Sequence, residues 1–472
     1  MIAATAPVFV LAEAADVDPA AAQATELLCA GLARLPGWLV PERAPDLLNG
    51  LVRLLYGFDA GTGQAGMSSL VDRTTFLREI RRLADGVVEP VLADGVVRVV
   101  DRPADPVRLA PYLRRVWPDA AVVVVSALDR LAAAVTEAAP DVWLQPADID
   151  VDPAGVLCTV AAAAGAGVQP SGAAVRAARG RSWRRPRESR PQLPPTDFIP
   201  TASPLADHLV IVLGAARSGT TWLHRLLTAH PMVGGTETGE TWLFGDVMAL
   251  WNSPARDVVG DGPLLAAIRR FCDALLLAMR DRVAPGAAYV CEKTPESVWR
   301  LPLLTRLYPD ARYLHVVRDG RDVALSMSRI DGGTVRLADA AASWVSAERA
   351  VRTAAPRLTH RLEVRYERML ADPVEVAESV WHWLGLPVDG AARTAARRRS
   401  QQRVTPLPPT GEIGQQKWRD LPLPEQQEVE AVAGDLLREL GYPPHEVPPA
   451  TPHPPPAHDS AGTPGEQNPV AE

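Results

Sequence analysis

The chain has 472 residues, of which 47% are hydrophobic, and this length predicts two domains rather than one. The formal net charge is −7, which excludes the overall basic field that proteins use to bind DNA or RNA. Four cysteines lack the spacing of a zinc site or a disulfide framework. The short apolar run at the start lacks the basic residues of a secretion signal, and no stretch is long and apolar enough to span a bilayer, so we expect a cytoplasmic protein.

Two segments outside the expected domains have compositions typical of exposed chain. Arginines and then prolines crowd residues 176–204, which predicts a linker. Proline-rich residues 443–472 have too little apolar surface to offset chain entropy, so we expect a disordered tail there. The two domains are therefore expected at residues 1–175 and 205–442.

The two expected domains resemble each other along the chain. The matching segments, in the same order in both halves, are Phe76–Arg82 with Leu264–Arg270, Tyr112–Ala120 with Leu303–Ala311, and Asp150–Pro153 with Leu370–Pro373. We therefore expect two tandem copies of a domain of roughly 200 residues. A gapless match of the first long helices places Arg217 opposite Ala22, so we expect the first copy to be degenerate and to lack anion ligands.

A strand, a glycine-containing loop and a helix follow one another in the second copy. Leu209–Leu213 is a short apolar run rich in β-branched residues, which predicts a central parallel strand covered on both faces. Leu223, Leu226 and Leu227 follow at helical spacing. The segment between them, Gly214–Thr221, is typical of a phosphate cradle, because its backbone N–H groups and the helix N-terminus favour an anion. We therefore expect an α/β fold with a P-loop-like parallel sheet flanked by helices.

The end of this cradle differs from the P-loop of kinases. The two glycines have the GxxxxG spacing, but Thr220 and Thr221 stand where a P-loop has the Lys-Ser/Thr that holds a γ-phosphate and Mg²⁺. Arg217 instead supplies a planar, permanently charged fork that suits a 5′-phosphate or a sulfonate. Two alternatives stay open at this point, a P-loop kinase-like nucleotide-dependent transferase and a non-catalytic nucleotide-binding protein.

The same residues resemble the motifs of a known family. Arg217–Trp222 resembles the 5′-phosphosulfate loop of the PAPS-dependent sulfotransferases, in the version of bacterial and tyrosylprotein members, and Tyr313–Ser326 resembles the segment that grips the 3′-phosphate. The resemblance implies an enzyme that moves the sulfonate of 3′-phosphoadenosine 5′-phosphosulfate (PAPS) to an acceptor hydroxyl by in-line displacement, without a metal. The acceptor stays open between a small molecule, a sugar, a lipid and a peptide.

The resemblance also implies which residues bind PAPS. They are Arg217, Ser218, Gly219, Thr220, Thr221 and Trp222 in the cradle, Arg318 and Ser326 at the 3′-phosphate, Tyr366 at adenine, and Lys417 in a late loop that closes on the 3′-phosphate. Trp222 is expected to stack on adenine, a contact that suits an indole face. Arg318 follows a buried-strand pattern, so we expect it at the sheet edge where α/β proteins bind ligands.

Catalysis needs a base for the acceptor proton and a cation near the donor's bridging oxygen. The resemblance implies a glutamate base in the loop after the first helix, where Glu237 and Glu240 both lie. We prefer Glu240, which is followed by threonine as in bacterial members, and keep Glu237 as the alternative because it lies closer to Pro231. The turn around Lys293 resembles the family's lysine-containing turn, so Lys293 is the electrophilic candidate, and Arg217 completes the catalytic set.

Overall fold

The computed structural model of the protein has an α/β fold with two parallel sheets flanked by helices, and this confirms the expected fold class. The structure describes residues 7–12, 18–36, 38–40, 51, 54–55, 58, 71–92, 98–101, 112–126, 135, 138–166, 169–179, 203–253, 255–330, 334–401 and 416–443. Apart from Pro443, the predicted tail lies outside these residues.

The N-terminal half contains the first sheet and its covering helices. Its strands are β1 (Val8–Leu11), β2 (Trp38–Leu39), β3 (Arg98–Asp101), β4 (Ala121–Val125) and β5 (Val142–Leu144). Its helices with both ends described are α1 (Pro19–Leu32), α2 (Arg73–Leu92), α3 (Pro146–Val151), α4 (Pro153–Ala163) and α5 (Gly172–Arg179), and residues 112–116 are helical as well. The first of these helices begins where it does because proline, which lacks a backbone N–H, stands at its first position and the preceding Asp18 caps it.

The C-terminal half contains the second sheet. Its strands are β6 (Leu209–Leu213), β7 (Val233–Gly234), β8 (Tyr289–Glu292), β9 (Arg312–Val317) and β10 (His360–Arg365). Its helices are α6 (Thr220–Leu227), α7 (Leu243–Trp251), α8 (Ala255–Val259), α9 (Asp261–Val283), α10 (Leu301–Leu307), α11 (Gly320–Ser328), α12 (Leu337–Ala354), α13 (Tyr366–Ala371), α14 (Pro373–Trp383), α15 (Gly390–Ser400) and α16 (Leu423–Glu439). Within the described parts of the chain, no helix is long and apolar enough to cross a membrane.

The two sheets have the same strand order. The first runs β2-β3-β1-β4-β5 and the second, read from the corresponding edge, runs β7-β8-β6-β9-β10. Every pairing between these strands is parallel. The carboxyl ends of all strands in a sheet therefore lie at one edge, where α/β proteins bind ligands. A shared order is what tandem copies would give, and the duplication itself stays a prediction.

The inner faces of the two sheets contribute to one core. Because successive side chains of a strand point to opposite faces, Phe9 and Val10 belong to different clusters. Phe9 lies in the same buried cluster as Ile211 of the second sheet. The outer face of each sheet has a cluster of its own, which α1, α4 and α5 cover in the first half and α6, α14 and α15 cover in the second. The two halves therefore share a central core instead of having one core each.

Helices α2 and α9 bring the two halves into contact. The rings of Phe76 and Phe271 meet edge to face, with their centroids 6.2 Å apart. The backbones come close as well, because a Cβ at Gly86 would lie 3.2 Å from the Cβ of Ala267. These are the helices that contain the first pair of matching segments. The contact between the halves is thus built from the two helices that the sequence match pairs with each other.

Two details of the expected organisation are wrong. Residues 176–179 do not begin a linker, because they form the last turn of α5 and Ala178 is buried; residues 180–202 lie outside the described chain. The gapless match of Arg217 with Ala22 also fails, since Ala22 lies inside α1 whereas Arg217 lies in the loop before α6. The ends of the two helices match, but α1 has 14 residues and α6 has 8, so their starts do not.

Candidate functional site

Three segments that carry candidate residues leave the same edge of the second sheet. β6 leads into the cradle, β8 leads into Lys293 and β9 leads into Arg318. β6 lies between the other two strands, with Ile211 opposite Glu292 on one side. Because the three strands are adjacent and parallel, the loops that follow them meet at one place.

The cradle between β6 and α6 is a tight turn. Arg217 and Gly219 both have left-handed backbone conformations, with φ of 71° and 97°. A Cβ at Gly219 would lie only 2.5 Å from Cδ2 of Tyr366, so a side chain does not fit at this position. Glycine is also the N-cap of α6, and no side chain caps the helix. The backbone N–H groups at the N-terminus of α6 can therefore bind an anion.

The cradle also holds a buried hydroxyl group that has no partner within the described chain. Ser218 is fully buried, and its Oγ forms no hydrogen bond with any described residue. A buried polar group without a hydrogen bond costs free energy. An oxygen of a bound phosphate or sulfonate would remove this cost. The residues of the cradle thus fit the anion that the sequence predicts.

Arg217, Ser326, Arg318 and Tyr366 form one cluster beside the cradle. Arg217 Nε donates a hydrogen bond to Ser326 Oγ at 3.1 Å. Arg318 Nη1 donates to the carbonyl oxygen of Arg217 at 2.8 Å, and its guanidinium lies 4.1 Å from the centre of the Tyr366 ring. Four residues predicted from three separate segments of the chain therefore lie together.

The charges in this cluster favour an anionic ligand. Burial lowers the pKa of the Arg217 guanidinium, and the nearby positive charge of Arg318 lowers it further. Two guanidinium groups repel each other less when an anion lies near both of them. An anion bound near both arginines would therefore be stabilised by their charges.

Trp222 and Lys417 lie in segments that contact other parts of the candidate site. Trp222 lies in α6 with 8% of its surface exposed, and its ring meets Tyr366 edge to face at 5.9 Å. Lys417 begins a 3-10 helix whose neighbouring N–H groups, on Gln416 and Trp418, donate to the carboxylate of Asp322 on α11 at 2.7 and 3.2 Å. Their expected contacts with adenine and the 3′-phosphate stay predictions.

Glu240 and Lys293 form an ion pair, in which Lys293 Nζ donates to Glu240 Oε1. The two segments also meet through the backbone, because the N–H of Lys293 donates to the carbonyl oxygen of Gly239 at 2.8 Å. Glu237 lies elsewhere, with its side chain 77% exposed and 3.8 Å from Arg225. The two glutamates that sequence spacing left open thus occupy different environments, and only Glu240 contacts the lysine.

The lysine in this pair is buried. No part of the Lys293 side chain is exposed, whereas 26% of the Glu240 side chain is. Burial lowers the pKa of Lys293, and the negative charge of Glu240 opposes that effect. Burial, and in second place the positive charge of Lys293, lower the pKa of His224 on α6 to about 3, so its ring is neutral. The pair is therefore a positive charge held inside the protein and a carboxylate that reaches solvent.

The sequence reasoning missed a third acidic residue in this part of the site. Glu292 is fully buried at the end of β8, and its Oε1 accepts hydrogen bonds from the hydroxyls of Thr241 and Thr294 at 3.0 and 2.5 Å. A charged residue at the end of an apolar strand, directly before the candidate lysine, was the signal that could have found it. Within the described residues, no group of three or more His, Cys, Asp and Glu side chains is placed to hold a metal ion.

The chain is similar to known proteins in its C-terminal half. Residues 210–390 match the model of the sulfotransferase family. Protein-tyrosine sulfotransferase 1 of Danio rerio is 27% identical over 274 residues, which cover 51% of this chain and 74% of the relative. Nodulation protein NoeE of Sinorhizobium fredii is 27% identical over 277 residues, which cover 50% of this chain and 66% of the relative. The solved sulfotransferase domain of the Synechococcus PCC 7002 olefin synthase is 20% identical with a TM-score of 0.33, over 48% of this chain and 94% of that domain.

Proposed function

We propose that the chain is a sulfotransferase, because residues 210–390 match the model of the sulfotransferase family, and that it uses PAPS as the donor and transfers its sulfonate to an acceptor hydroxyl. One observation carries this proposal. The anion cradle with its two arginines and the Glu240–Lys293 ion pair lie at the same edge of one sheet. The comparisons give no support to a kinase-like transferase or to a non-catalytic binding protein.

The donor would be held at both ends of its nucleotide. The N-terminus of α6, Ser218 and Arg217 suit the 5′-phosphosulfate, because they combine N–H groups, a hydroxyl that bonds to no described residue and a guanidinium fork. Arg318 and Ser326 suit the 3′-phosphate. When bound, the donor supplies a sulfonate on a phosphate leaving group, and the protein supplies position and charge.

Proton and charge movements can be assigned to the ion pair. The acceptor oxygen forms a bond to sulfur while the bond between sulfur and the bridging oxygen of the donor breaks. The carboxylate of Glu240 takes the acceptor's proton, because it is the partly exposed member of the pair. The ammonium of Lys293 and the guanidinium of Arg217 stabilise the charge that develops on the leaving oxygen and the sulfonate.

For the acceptor, we propose a peptide tyrosine or another aromatic hydroxyl compound. Several relatives are named protein-tyrosine sulfotransferases. In this chain, Trp242 lies two residues after Glu240 and 38% of its surface is exposed, an unusual value for a tryptophan. Aromatic rings pack favourably against one another. An exposed indole beside the base therefore suits an acceptor whose hydroxyl is on a ring.

Binding of the reaction product adenosine 3′,5′-bisphosphate (PAP) tests the donor site. We expect PAP to bind more tightly than ATP, because Arg318 and Ser326 suit a 3′-phosphate that ATP lacks. Arg318→Ala should weaken PAP binding by about 1.5–3 kcal/mol, the range for a hydrogen bond to a charged group. Titration calorimetry measures the affinities for PAP and ATP and the loss of PAP affinity in the variant. Arg361→Ala, which removes an exposed arginine of β10, is the control. Equal affinity for ATP and PAP, or equal losses in the two variants, would contradict the assignment.

The described elements after the last strand of each sheet have the same lengths and order, which supports the proposal that the N-terminal half is a degenerate copy. After the last strand, each half has a six-residue helix, α3 or α13, and then an eleven-residue helix, α4 or α14. The second helix begins with proline in both halves. The aspartate before it, Asp152 or Asp372, caps the helix with its carboxylate.

A side chain caps the first long helix of the N-terminal half, unlike the first helix of the C-terminal half. Asp18 is the N-cap of α1 and accepts a hydrogen bond from the N–H of Ala21 at 2.9 Å, where Gly219 caps α6 without a side chain. A carboxylate at this position repels a second anion. We therefore expect one PAP per chain. Calorimetric stoichiometry measures this number, and a second site that persists in the Arg318→Ala variant would contradict the degenerate-copy proposal.

A further inference from the structure

A buried carboxylate connects the two segments of the ion pair. The Oε1 atom of Glu292 accepts hydrogen bonds from Thr241, which follows Glu240, and from Thr294, which follows Lys293. All three side chains are buried, with 1% or less exposed at Thr241 and Glu292 and 4% at Thr294. One oxygen atom thus joins the loop of the proposed base to the turn of the lysine.

The second threonine strengthens this connection through the backbone. The Oγ1 atom of Thr294 accepts hydrogen bonds from the N–H groups of Thr241 and Trp242 at 3.2 and 3.3 Å. The hydroxyl of Thr241 in turn accepts a bond from the N–H of Leu243 at 3.3 Å. The hydroxyls of Thr241 and Thr294 therefore each donate a hydrogen bond to Glu292 and accept from backbone N–H groups of residues 241–243. The carboxylate thus fixes the orientation of both hydroxyls.

We propose that Glu292, Thr241 and Thr294 form a buried brace, and that they are positioning residues that set the geometry between Glu240 and Lys293. The brace rests on the proposed function, because the geometry matters only if these two groups act on the reaction. Among the described residues, the hydrogen bonds of the brace do not reach the cradle, which is bonded instead to residues that follow β9. Loss of the brace should therefore disturb catalysis and leave donor binding intact.

The ionisation of Glu292 gives the brace a signature in stability. Burial raises the pKa of Glu292 from 4.5 to about 7, and the hydrogen bonds from Thr294 and Thr241 limit the rise. The other titratable groups around it are Lys293, Glu240 and Glu296, with Cys291 before it in the strand and His224 on α6. Between pH 4.5 and about 7 the folded chain holds a proton that the unfolded chain releases, so stability falls as pH rises through this window.

Matched variants of Thr241 separate the hydroxyl from the side-chain shape. Thr241→Val keeps the shape and removes the hydroxyl, whereas Thr241→Ser keeps the hydroxyl. We expect Thr241→Val to lower kcat on the order of 10-fold, because displacement of a reacting group by about 1 Å can cost about 10²-fold. PAP affinity should stay at the wild-type value, and Thr241→Ser should restore kcat. Full kcat in folded Thr241→Val, or an equal loss in Thr241→Ser, would overturn the brace.

A second measurement does not depend on activity. The unfolding free energy of the wild type should fall between pH 4.5 and about 7, and Glu292→Gln should remove this part of the profile. Removing the Thr241 hydroxyl should extend the fall to higher pH, because a bond that lowers the pKa of Glu292 is lost. Thr241→Ala replaces Thr241→Val if the valine variant does not fold. Identical profiles for wild type and Glu292→Gln would overturn the brace, whatever the kinetics.

Failure of the brace can be told apart from failure of the proposed function. A wild-type chain that does not bind PAP would overturn the proposed function, and the brace with it. A wild type that binds PAP and is inactivated by Glu240→Gln, but is indifferent to Thr241→Val, would overturn only the brace.

Discussion

Glu240→Gln should lower the turnover number for sulfonate transfer by roughly 10²–10⁴, the contribution of a general base, while PAP affinity stays nearly unchanged. The amide keeps the size of the carboxylate and can still contact the ammonium of Lys293, but it cannot take a proton. Turnover is measured as transfer of labelled sulfonate from PAPS to the best acceptor among tyrosyl peptides, phenols and aliphatic alcohols. Calorimetry with PAP supplies the affinity.

Glu237→Gln is the matched control for this prediction. It makes the same chemical change three residues earlier, in a side chain that is 77% exposed and does not contact Lys293. It should therefore keep most of the wild-type turnover. If Glu237→Gln abolished turnover while Glu240→Gln kept it, the base would be Glu237. If neither variant lost turnover, no glutamate of this loop would act as the base.

Lys293→Met should lower turnover by roughly 10²–10³, the range for removing one preorganised charge-stabilising donor from an active site. Methionine keeps an unbranched apolar side chain in the buried space but cannot stabilise charge on the leaving oxygen. The loss should be smaller with an aryl sulfate donor whose leaving group is a weak base, because less charge then needs stabilisation. Initial rates with both donors measure this difference.

The ammonium of Lys293 also neutralises the charge of Glu240. The effect of Lys293→Met on the reaction therefore has to be distinguished from an effect on folding. The double variant Lys293→Met with Glu240→Gln removes both charges and leaves no unpaired carboxylate. PAP affinity and thermal unfolding of the single and double variants report on folding. Wild-type turnover in folded Lys293→Met would exclude the lysine from the reaction. An equal loss with both donors would mean that Lys293 acts by holding Glu240 and not on the leaving group.

Parts of the site that lie within one short segment could be predicted from the sequence. The strand at Leu209–Leu213, the turn after it and the helix from Thr220 are set by local patterns, namely a β-branched apolar run, glycines and leucines at helical spacing. The choice between Glu237 and Glu240 could not be made in this way. It depends on a contact with Lys293, which is more than 50 residues away in the chain and lies close in the fold, where β7, the strand before Glu240, pairs with β8, the strand before Lys293.

The brace around Glu292 lay beyond the sequence for a related reason. Glutamate and threonine are usually exposed, so their burial here is decided by the tertiary structure. The matching of the two halves shows another limit. Helix ends with similar residues were easy to align, but α1 extends six residues further at its start than α6 does (14 against 8). A match based only on residue spacing therefore failed for the residues before these two helices.

The contact between α2 and α9 has a consequence for how the protein is held together. Corresponding helices meet there, with Phe76 against Phe271 and Gly86 against Ala267. The same contact between two identical chains would be the self-complementary interface of a symmetric dimer, whose formation depends on concentration. In this protein both partners are parts of one polypeptide. The two halves therefore stay in contact at any dilution of the protein.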